Sequence, residues 1–178
     1  MLCFAVDRDR LLVVLAPSPA NAKKVFVTRA LFQPGPGKSI QDAHDMCRRE
    51  TIGALPGTFR ALLSTTSAPA ASFLVPSTPY HRPDGVLVGL GSEIAAAKPR
   101  SGIWQHADGV YLRTVHWTWT GSSLPSRIGT DAETCHDWSD DTMPGGHEGD
   151  AASGDSQWWD TSTSRSCPSA YAVYCVEQ

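Results

Sequence analysis

The residue types most capable of chemistry are concentrated in one short acidic stretch. The segment TCHDWSDD, Thr134–Asp141, holds a cysteine, a histidine and three aspartates, and Glu148 and Asp150 follow shortly after it. Side chains of all these types serve as metal ligands in proteins. The stretch therefore indicates either a metal or catalytic site, or a structural cysteine beside a solvated acidic loop.

The carboxylates match one calcium geometry only in part. Counted from Asp137, a twelve-residue EF-hand loop would end at Glu148, but its sixth position is Thr142 instead of the required glycine. The EF-hand geometry is therefore not met. A looser calcium site of the lectin type stays open, and its weak candidates are Asp137, Asp140, Asp141, Glu148 and Asp150. The competing interpretation is a solvated acidic loop that binds no metal.

Zinc and the common catalytic motifs find less support. A zinc site at Cys135 and His136 would have only His147 nearby to complete it. The sequence has neither the G-x-S-x-G nucleophile motif nor the H-E-x-x-H zinc motif. His106 and Asp108 could form a catalytic pair, but an ordinary turn is the simpler explanation for them. We predict a protein that is not an enzyme and has no catalytic residues or required cofactor.

Composition restricts the class of protein and of partner. The chain has 178 residues, of which 41% are hydrophobic and 19% are charged, so it fits one domain with its own core. Its formal net charge of -3 argues against nucleic acid as a partner. No apolar run is long enough to span a membrane. The sequence does not indicate an oligomeric state.

Residues 1–22 have features of an export signal, with a disordered N-terminal segment as the alternative. The apolar run Leu11–Ala16 precedes residues 20–22, whose small-x-small pattern is typical of a signal-peptidase site. Cleavage there would remove Cys3 and leave an even number of cysteines, as expected of an exported domain with two disulfides. We therefore expect residues 23–178 to form a secreted or cell-surface domain.

Hydrophobic patterns predict an α+β domain with few helices. A strand is predicted over Lys24–Phe32, and a capping-box pattern at Ser39 begins a helix that carries Cys47 on its buried face. A second short helix is predicted over Thr58–Ser64. Further strands follow two Asp-Gly turns, at Asp84-Gly85 and Asp108-Gly109, and an alternating strand closes the chain.

A long polar, glycine-rich region, Ser122–Ser166, needs an anchor, because structureless loops of this length are uncommon in compact domains. A bridge between Cys135 and Cys167 would staple it, and a bridge between Cys47 and Cys175 would join the two ends of the domain. Four cysteines allow three pairings, and their positions alone do not decide among them.

Three stretches resemble the endostatin domain, the C-terminal module of collagens XVIII and XV, and similar bacterial secreted proteins. They are LPGTFRALLS (Leu55–Ser64), TCHDW (Thr134–Trp138) and SCPSAYAVYCVEQ (Ser166–Gln178). The resemblance covers residues 23–178. It implies a C-type-lectin-like fold with two helices, a mixed, mostly antiparallel sheet and a long disulfide-stapled loop region. It also implies the bonds Cys47–Cys175 and Cys135–Cys167.

The ligand-binding residues of that family are not matched. Its zinc-binding histidine cluster is missing, since the first histidine here is His44, inside the predicted helix. The family also binds heparan sulfate through arginines, whereas this chain is acidic. Arg60 is the one arginine inside a matched motif, and we interpret it as a structural helix residue. The resemblance therefore implies the fold more than any activity.

We predict a non-enzymatic extracellular binding module that recognises protein or glycan through the long loop region. Its candidate ligand-binding residues are Trp158, Trp159 and Asp137. Adjacent tryptophans on an extended loop point to opposite sides, so one is expected to be exposed; the alternative is that both are wedged between loop and sheet. The second candidate function is a calcium-dependent carbohydrate-binding protein of the lectin type. A hydrolase is the third, and it would need a catalytic pair that the sequence does not show.

Overall fold

The computed structural model describes residues 3–7, 10–14, 21–113 and 117–178. The strands within these residues are β1 (Cys3–Asp7), β2 (Arg10–Val14), β3 (Lys23–Val27), β4 (Phe59–Ala61), β5 (Pro79–His81), β6 (Leu87–Leu90), β7 (Trp117–Trp119), β8 (Gly146–Asp150), β9 (Ser164–Arg165) and β10 (Ala172–Glu177). The helical segments are α1 (Ile40–Thr51), α2 (Gly91–Ala95), the 3-10 turns Ala70–Phe73 and Ser156–Trp158, and one helical turn at Cys135–Trp138.

One mixed sheet organises the domain. Its strand order is β6-β5-β3-β10-β7-β8-β9, and β4 also pairs with β10. β3 runs parallel to β5 and β10 parallel to β7, whereas the other pairs described in this sheet are antiparallel. The predicted α+β class with a mixed sheet is confirmed. β1 and β2 form a separate antiparallel pair, and the predicted cleavage motif at residues 20–22 lies only partly within the described residues.

The sheet separates two buried cores, and β10 contributes to both because its side chains alternate between the two faces. We call the cluster packed under α1 the helix-side core; Val173 and Cys175 belong to it. Tyr174 and Val176 belong to the second cluster, which we call the loop-side core. Other large members of the helix-side core are Phe26, Met46, Phe59, Trp119 and Trp138. Other large members of the loop-side core are Val25, Leu62, Ile94, Trp158 and Trp159.

The helix α1 begins at the capping box that the sequence predicts. The Ser39 hydroxyl accepts a backbone N–H group of the first turn, and the Asp42 carboxylate accepts the Ser39 N–H group at 2.9 Å. Cys47 lies on the buried face of the helix, as expected. Its disulfide to Cys175 in β10 attaches the helix to the centre of the sheet.

His44 forms a second link between α1 and the sheet. Its Nδ1 atom accepts the Ala61 N–H group of β4 at 3.1 Å, and the residue is only 7% exposed. Burial, with the nearby Arg60 and Arg48 guanidinium groups, lowers the pKa of His44 to about 4. The ring is therefore neutral at neutral pH, as its role of acceptor requires.

The prediction of a second helix over Thr58–Ser64 is wrong, because this segment contains the strand β4. Phe59 and Ala61 are buried and Arg60 is exposed, an alternation that fits pairing with β10. A helix this short would gain few internal hydrogen bonds, whereas β10 offers partners for the backbone. Arg60, expected on a helix, lies instead on this strand, with its guanidinium 5.4 Å from the centre of the Phe73 ring.

The long region Ser122–Ser166 has more regular structure than the sequence predicts. It contains β8, β9 and short helical turns. The Cys135–Cys167 disulfide anchors it in the helix-side core. The two disulfides are thus the pairs that the resemblance implies. Among the described residues, no helix has the length and apolar character needed to cross a membrane.

Candidate functional site

The two tryptophans predicted to contact a ligand are both fully buried. Trp158 and Trp159 have no exposed surface and pack in the loop-side core with their ring centroids 5.2 Å apart. The alternative, that both are wedged inside, is confirmed, and the expectation that one is exposed is wrong. Trp158 is the last residue of a 3-10 turn, in which successive side chains diverge by about 120° instead of 180°. Tyr174 holds the pair by donating its hydroxyl to the Trp158 carbonyl oxygen at 2.6 Å. Neither indole offers a surface to a ligand.

Asp137, the third candidate, lies in the helical turn Cys135–Trp138. All four residues of this turn have φ between 50° and 72°, a left-handed conformation that is costly for residues other than glycine. The Asp137 carboxylate accepts hydrogen bonds from the N–H group and the hydroxyl of Thr66, both at 2.7 Å. These contacts hold the left-handed turn against the loop at Thr66, so the visible role of Asp137 is structural.

The calcium candidates are not brought together. Glu148 is fully buried, while Asp140 and Asp150 accept hydrogen bonds within their own turns. Asp137 is engaged as described above, and Asp141 lies beside Gly35. In the part of the chain that the structure describes, no group of three or more histidine, cysteine, aspartate or glutamate side chains is arranged to hold a metal ion.

Glu148 instead forms an ion pair inside the loop region. Its Oε2 atom accepts the Arg165 Nε–H group at 3.1 Å, and its Oε1 atom accepts the Thr161 and Thr163 hydroxyls at 2.6 and 2.7 Å. The Arg165 guanidinium lies 4.9 Å from the centre of the Trp117 ring. We call Arg165, Glu148 and Trp117 the loop trio. Because an unpaired buried carboxylate would be costly, the trio fixes this segment to β8.

Two Asp-Gly-Val turns, which the sequence predicts separately, form one unit in the structure. Each is closed by a backbone hydrogen bond of 2.9 Å, from residue 82 to residue 86 and from residue 106 to residue 110. In each turn the aspartate side chain, Asp84 or Asp108, accepts the N–H group of the valine two residues later. The glycines, Gly85 and Gly109, have φ of 86° and 82°, which favours glycine at both positions.

Two side chains join the turns to each other. Gln105 accepts the Asp84 N–H group at 2.8 Å through its carbonyl oxygen, and its amide nitrogen donates to the Gly109 carbonyl oxygen at 2.7 Å. Tyr111 donates its hydroxyl to the Asp84 carboxylate at 2.8 Å. We call the resulting unit, residues 82–86 with residues 104–111, the twin turn.

Arg82 and Trp104 complete a second charged cluster. Arg82 donates to the Asp84 carboxylate from Nε at 3.2 Å and from Nη2 at 2.7 Å, and its guanidinium lies 5.2 Å from the centre of the Trp104 ring. We call Arg82, Asp84 and Trp104 the turn trio. Burial raises the pKa of the Asp84 carboxyl, but hydrogen bonds from Arg82, the Val86 N–H group and Tyr111 outweigh this and hold the pKa below its usual range.

The rings held by this cluster are exposed. Trp104 is 43% exposed and Tyr111 is 51% exposed, and Val86 and Val110 are exposed beside them. We call these four side chains the twin-turn face. They make up half of the large hydrophobic side chains that are exposed among the described residues. Arg82 packs against the Trp104 ring and Asp84 accepts the Tyr111 hydroxyl. Both rings are therefore held in place and would lose little rotamer freedom on binding a ligand.

Two open clefts adjoin the twin turn. One, of about 420 Å³, lies between Gly53–Leu55 after α1 and the turn residues Asp84 and Asp108. The second, of about 340 Å³, shares Asp108 and is also lined by Arg29 and Glu50. The twin turn therefore carries two exposed aromatic rings and, through Asp84 and Asp108, forms part of the walls of these clefts.

His106 and Asp108, the pair weighed as catalytic, both serve the turn. His106 Nδ1 lies 2.9 Å from the Val27 carbonyl oxygen, and the Asp108 carboxylate binds Arg29 at 2.7 Å. The hydrogen bond from the Val110 N–H group has the largest effect on the Asp108 carboxyl and lowers its pKa. Burial raises this pKa, but the Arg29 charge lowers it further, so the pKa lies below its usual range. These contacts fit the ordinary-turn interpretation.

Sequence reasoning missed the twin-turn face, although a signal for it was present. The tripeptide Asp-Gly-Val occurs twice, at Asp84–Val86 and Asp108–Val110, and Trp104 and Tyr111 flank the second copy. Asp-Gly predicts a tight turn, and residues beside a tight turn tend to be exposed.

No protein-family model matches the chain, and no curated protein sequence matches it either.

Proposed function

We propose that the protein is a non-enzymatic extracellular binding module and that the twin-turn face is its recognition surface. The observation that carries the proposal is that two exposed rings are held in place. Trp104 is 43% exposed and packs against the Arg82 guanidinium, and Tyr111 is 51% exposed and donates its hydroxyl to Asp84. Aromatic anchors of this kind dominate many recognition sites. The proposed surface differs from the long loop region that the sequence favoured, whose adjacent tryptophans are buried.

The proposed fold and compartment rest on the resemblance and on the disulfides. The nested pairs Cys47–Cys175 and Cys135–Cys167, together with the mixed sheet, support an endostatin-like, C-type-lectin-like domain over residues 23–178. Disulfides persist in oxidising compartments, so they also support a secreted or cell-surface protein. Its partner would be an extracellular protein or glycan.

An array of extracellular proteins and glycans tests this function. The full chain, with both disulfides formed, is compared with the double variant Trp104→Ala/Tyr111→Ala and with the control Ile128→Ala. Ile128 is 55% exposed and lies outside the twin-turn face. We expect the unchanged protein and the control to bind a common ligand, and the double variant to bind it at least about tenfold more weakly, since truncating a central aromatic anchor typically costs 2 kcal/mol or more.

The proposal fails if the folded protein binds nothing on the array, or if the double variant binds as well as the control. Circular dichroism of each variant establishes that it is folded before its binding is compared.

A further inference from the structure

We infer that the ligand of the twin-turn face is an uncharged saccharide, an inference that rests on the proposed function. It depends on three features of the site: the area of the exposed apolar surface, the polar groups of the adjoining cleft, and the pairing of the nearby charges.

The exposed apolar area is too small for a stable protein interface. A fully buried aromatic side chain contributes about 150–250 Å², so two rings at half exposure offer roughly 200 Å², and the two valines add about half as much. A stable protein partner covers about 800 Å² on each side, of which roughly 450 Å² is apolar, so it would need apolar surface beyond these four side chains. The twin-turn face is therefore suited to a ligand of one to three sugar rings.

The site combines the two kinds of contact that a sugar ring needs. The C–H bonds on one face of a pyranose are polarised by neighbouring oxygen atoms, so that face packs against the electron-rich face of an aromatic ring such as Trp104 or Tyr111. The sugar hydroxyls need hydrogen-bond acceptors at the edge of the same ring. Asp108, whose side chain is 50% exposed, lines the adjoining cleft of about 420 Å³ and supplies a carboxylate acceptor. Asp84 lines the same cleft, but its carboxylate already accepts four hydrogen bonds, from Arg82, the Val86 N–H group and Tyr111.

The charged groups that touch the site are already paired. Arg82 binds Asp84 at 2.7 Å and is 5% exposed, and Arg29 binds Asp108 at 2.7 Å. A sulfate or carboxylate group on the ligand would be repelled by the Asp108 carboxylate, and the charge of the exposed Arg29 that could attract it is already shared with Asp108. An uncharged saccharide can instead donate to the lone pairs of Asp108 that Arg29 and the Val110 N–H group leave free, without disturbing the ion pair. The site therefore selects for uncharged sugars.

Titration with defined saccharides tests the inference. The probes are cellotriose, maltotriose and chitotriose, with a sulfated trisaccharide as the charged probe, and binding is followed by calorimetry on the full, disulfide-bonded chain. We expect at least one uncharged probe to bind with a Kd in the millimolar range or tighter and the sulfated probe to bind at least about tenfold more weakly. Trp104→Ala should reduce affinity at least about tenfold, whereas Ile128→Ala should not change it.

The variant Tyr111→Phe distinguishes the contact that the ring makes with the sugar from the hydrogen bond that positions the ring. It keeps the ring but removes the hydrogen bond to Asp84, so we expect a loss of affinity smaller than that of Tyr111→Ala. Equal losses for the two variants would mean that the hydroxyl itself contacts the sugar, and the stacking inference would be wrong.

The remaining outcomes distinguish this inference from the proposed function. If no uncharged probe binds at about 10 mM, or if Trp104→Ala binds as tightly as the unchanged protein, the saccharide inference is overturned. If the array then shows a protein ligand that the double variant fails to bind, the binding-module function stands with a protein partner. Stronger binding of the sulfated probe would also overturn the inference, because it would require a basic surface.

Discussion

The loop trio and the turn trio each consist of an arginine, a carboxylate and a tryptophan. The more buried partner of the ion pair is the carboxylate in the loop trio and the arginine in the turn trio, where the Asp84 side chain is 16% exposed. In the loop trio, Glu148 is fully buried and the Arg165 side chain is 37% exposed. In the turn trio, the Arg82 side chain is 5% exposed and Trp104 is 43% exposed. The same residue types therefore anchor a segment in one place and present an aromatic ring to solvent in the other.

The difference shows that composition alone does not identify where aromatic rings are exposed. The loop region is rich in tryptophan and aspartate, yet its tryptophans are buried in the two cores, and Asp137 and Glu148 accept hydrogen bonds from hydroxyls. The twin turn has fewer such residues, but its buried arginine supports an exposed ring from below. The two clusters differ in which charged side chain is most buried, Glu148 in the loop trio and Arg82 in the turn trio.

The largest expected difference concerns the tryptophans themselves. Trp158→Ala should reduce the free energy of unfolding by about 3–5 kcal/mol, because it leaves a cavity in the loop-side core. Trp104→Ala should reduce it by about 1 kcal/mol or less, because much of that ring is already exposed. Urea unfolding followed by circular dichroism measures both values. Similar losses for the two variants would contradict the contrast between a packed and a displayed tryptophan.

Acid should weaken the contact between His44 and β4 before it affects the turn trio. The unfolded chain binds a proton at His44 near pH 6.5, but the folded chain does so only near pH 4. The contribution of His44 to stability should therefore be constant above pH 6.5 and fall by up to about 3 kcal/mol between pH 6.5 and pH 4. The lowered pKa of Asp84 keeps the turn trio ionised through this range.

Urea unfolding at several pH values measures this acid effect, with His44→Asn as the matched control. An asparagine amide oxygen can accept the Ala61 N–H group but does not titrate. The control should lose most of the pH dependence between pH 6.5 and pH 4. An unchanged slope in His44→Asn would assign the acid sensitivity to other groups.

The two trios should respond in opposite ways to loss of their arginine or carboxylate. Arg165→Met removes the cation that pairs with the buried Glu148 and should reduce the free energy of unfolding by about 2–3 kcal/mol. Glu148→Gln should reduce it less, because water can hydrate the partly exposed Arg165 that is left. In the turn trio the order should reverse, with Asp84→Asn costing more than Arg82→Met. Urea unfolding of the four variants gives the two orders, and the same order in both trios would refute the burial contrast.

The smallest expected effect is on Tyr111. Tyr111→Phe removes one hydrogen bond to the Asp84 carboxylate, and the exposed site lets water replace it, so stability should fall by about 1 kcal/mol or less. Thermal and urea unfolding measure the change. A loss as large as that of Trp158→Ala would make Tyr111 part of the folding core and not of a displayed face.

Local sequence signals predicted the elements that depend on neighbouring residues. The capping box at Ser39 marked the start of α1, and the alternation near Cys175 marked β10. The strand β4 was mistaken for a helix because Phe59, Leu62 and Leu63 also fit helical spacing, and pairing with the distant β10 decides its conformation. Local periodicity cannot reveal such pairing.

The candidate site was missed for the same reason. Each Asp-Gly turn was predictable, but their contact depends on tertiary structure, including the bond of 3.0 Å from the Val27 N–H group to the Gln105 carbonyl oxygen. The burial of Trp158 and Trp159 depends likewise on a 3-10 turn and on a tyrosine far along the chain, Tyr174.

The left-handed turn Cys135–Trp138 has a consequence for how this sequence can evolve. Each non-glycine residue in that conformation costs about 1–2 kcal/mol, which the surrounding contacts must offset. His136 has a side chain that is 64% exposed, so glycine there would relieve strain with little loss of contact. A lineage that acquired this change could tolerate a destabilising substitution elsewhere in the domain, including one on the twin-turn face.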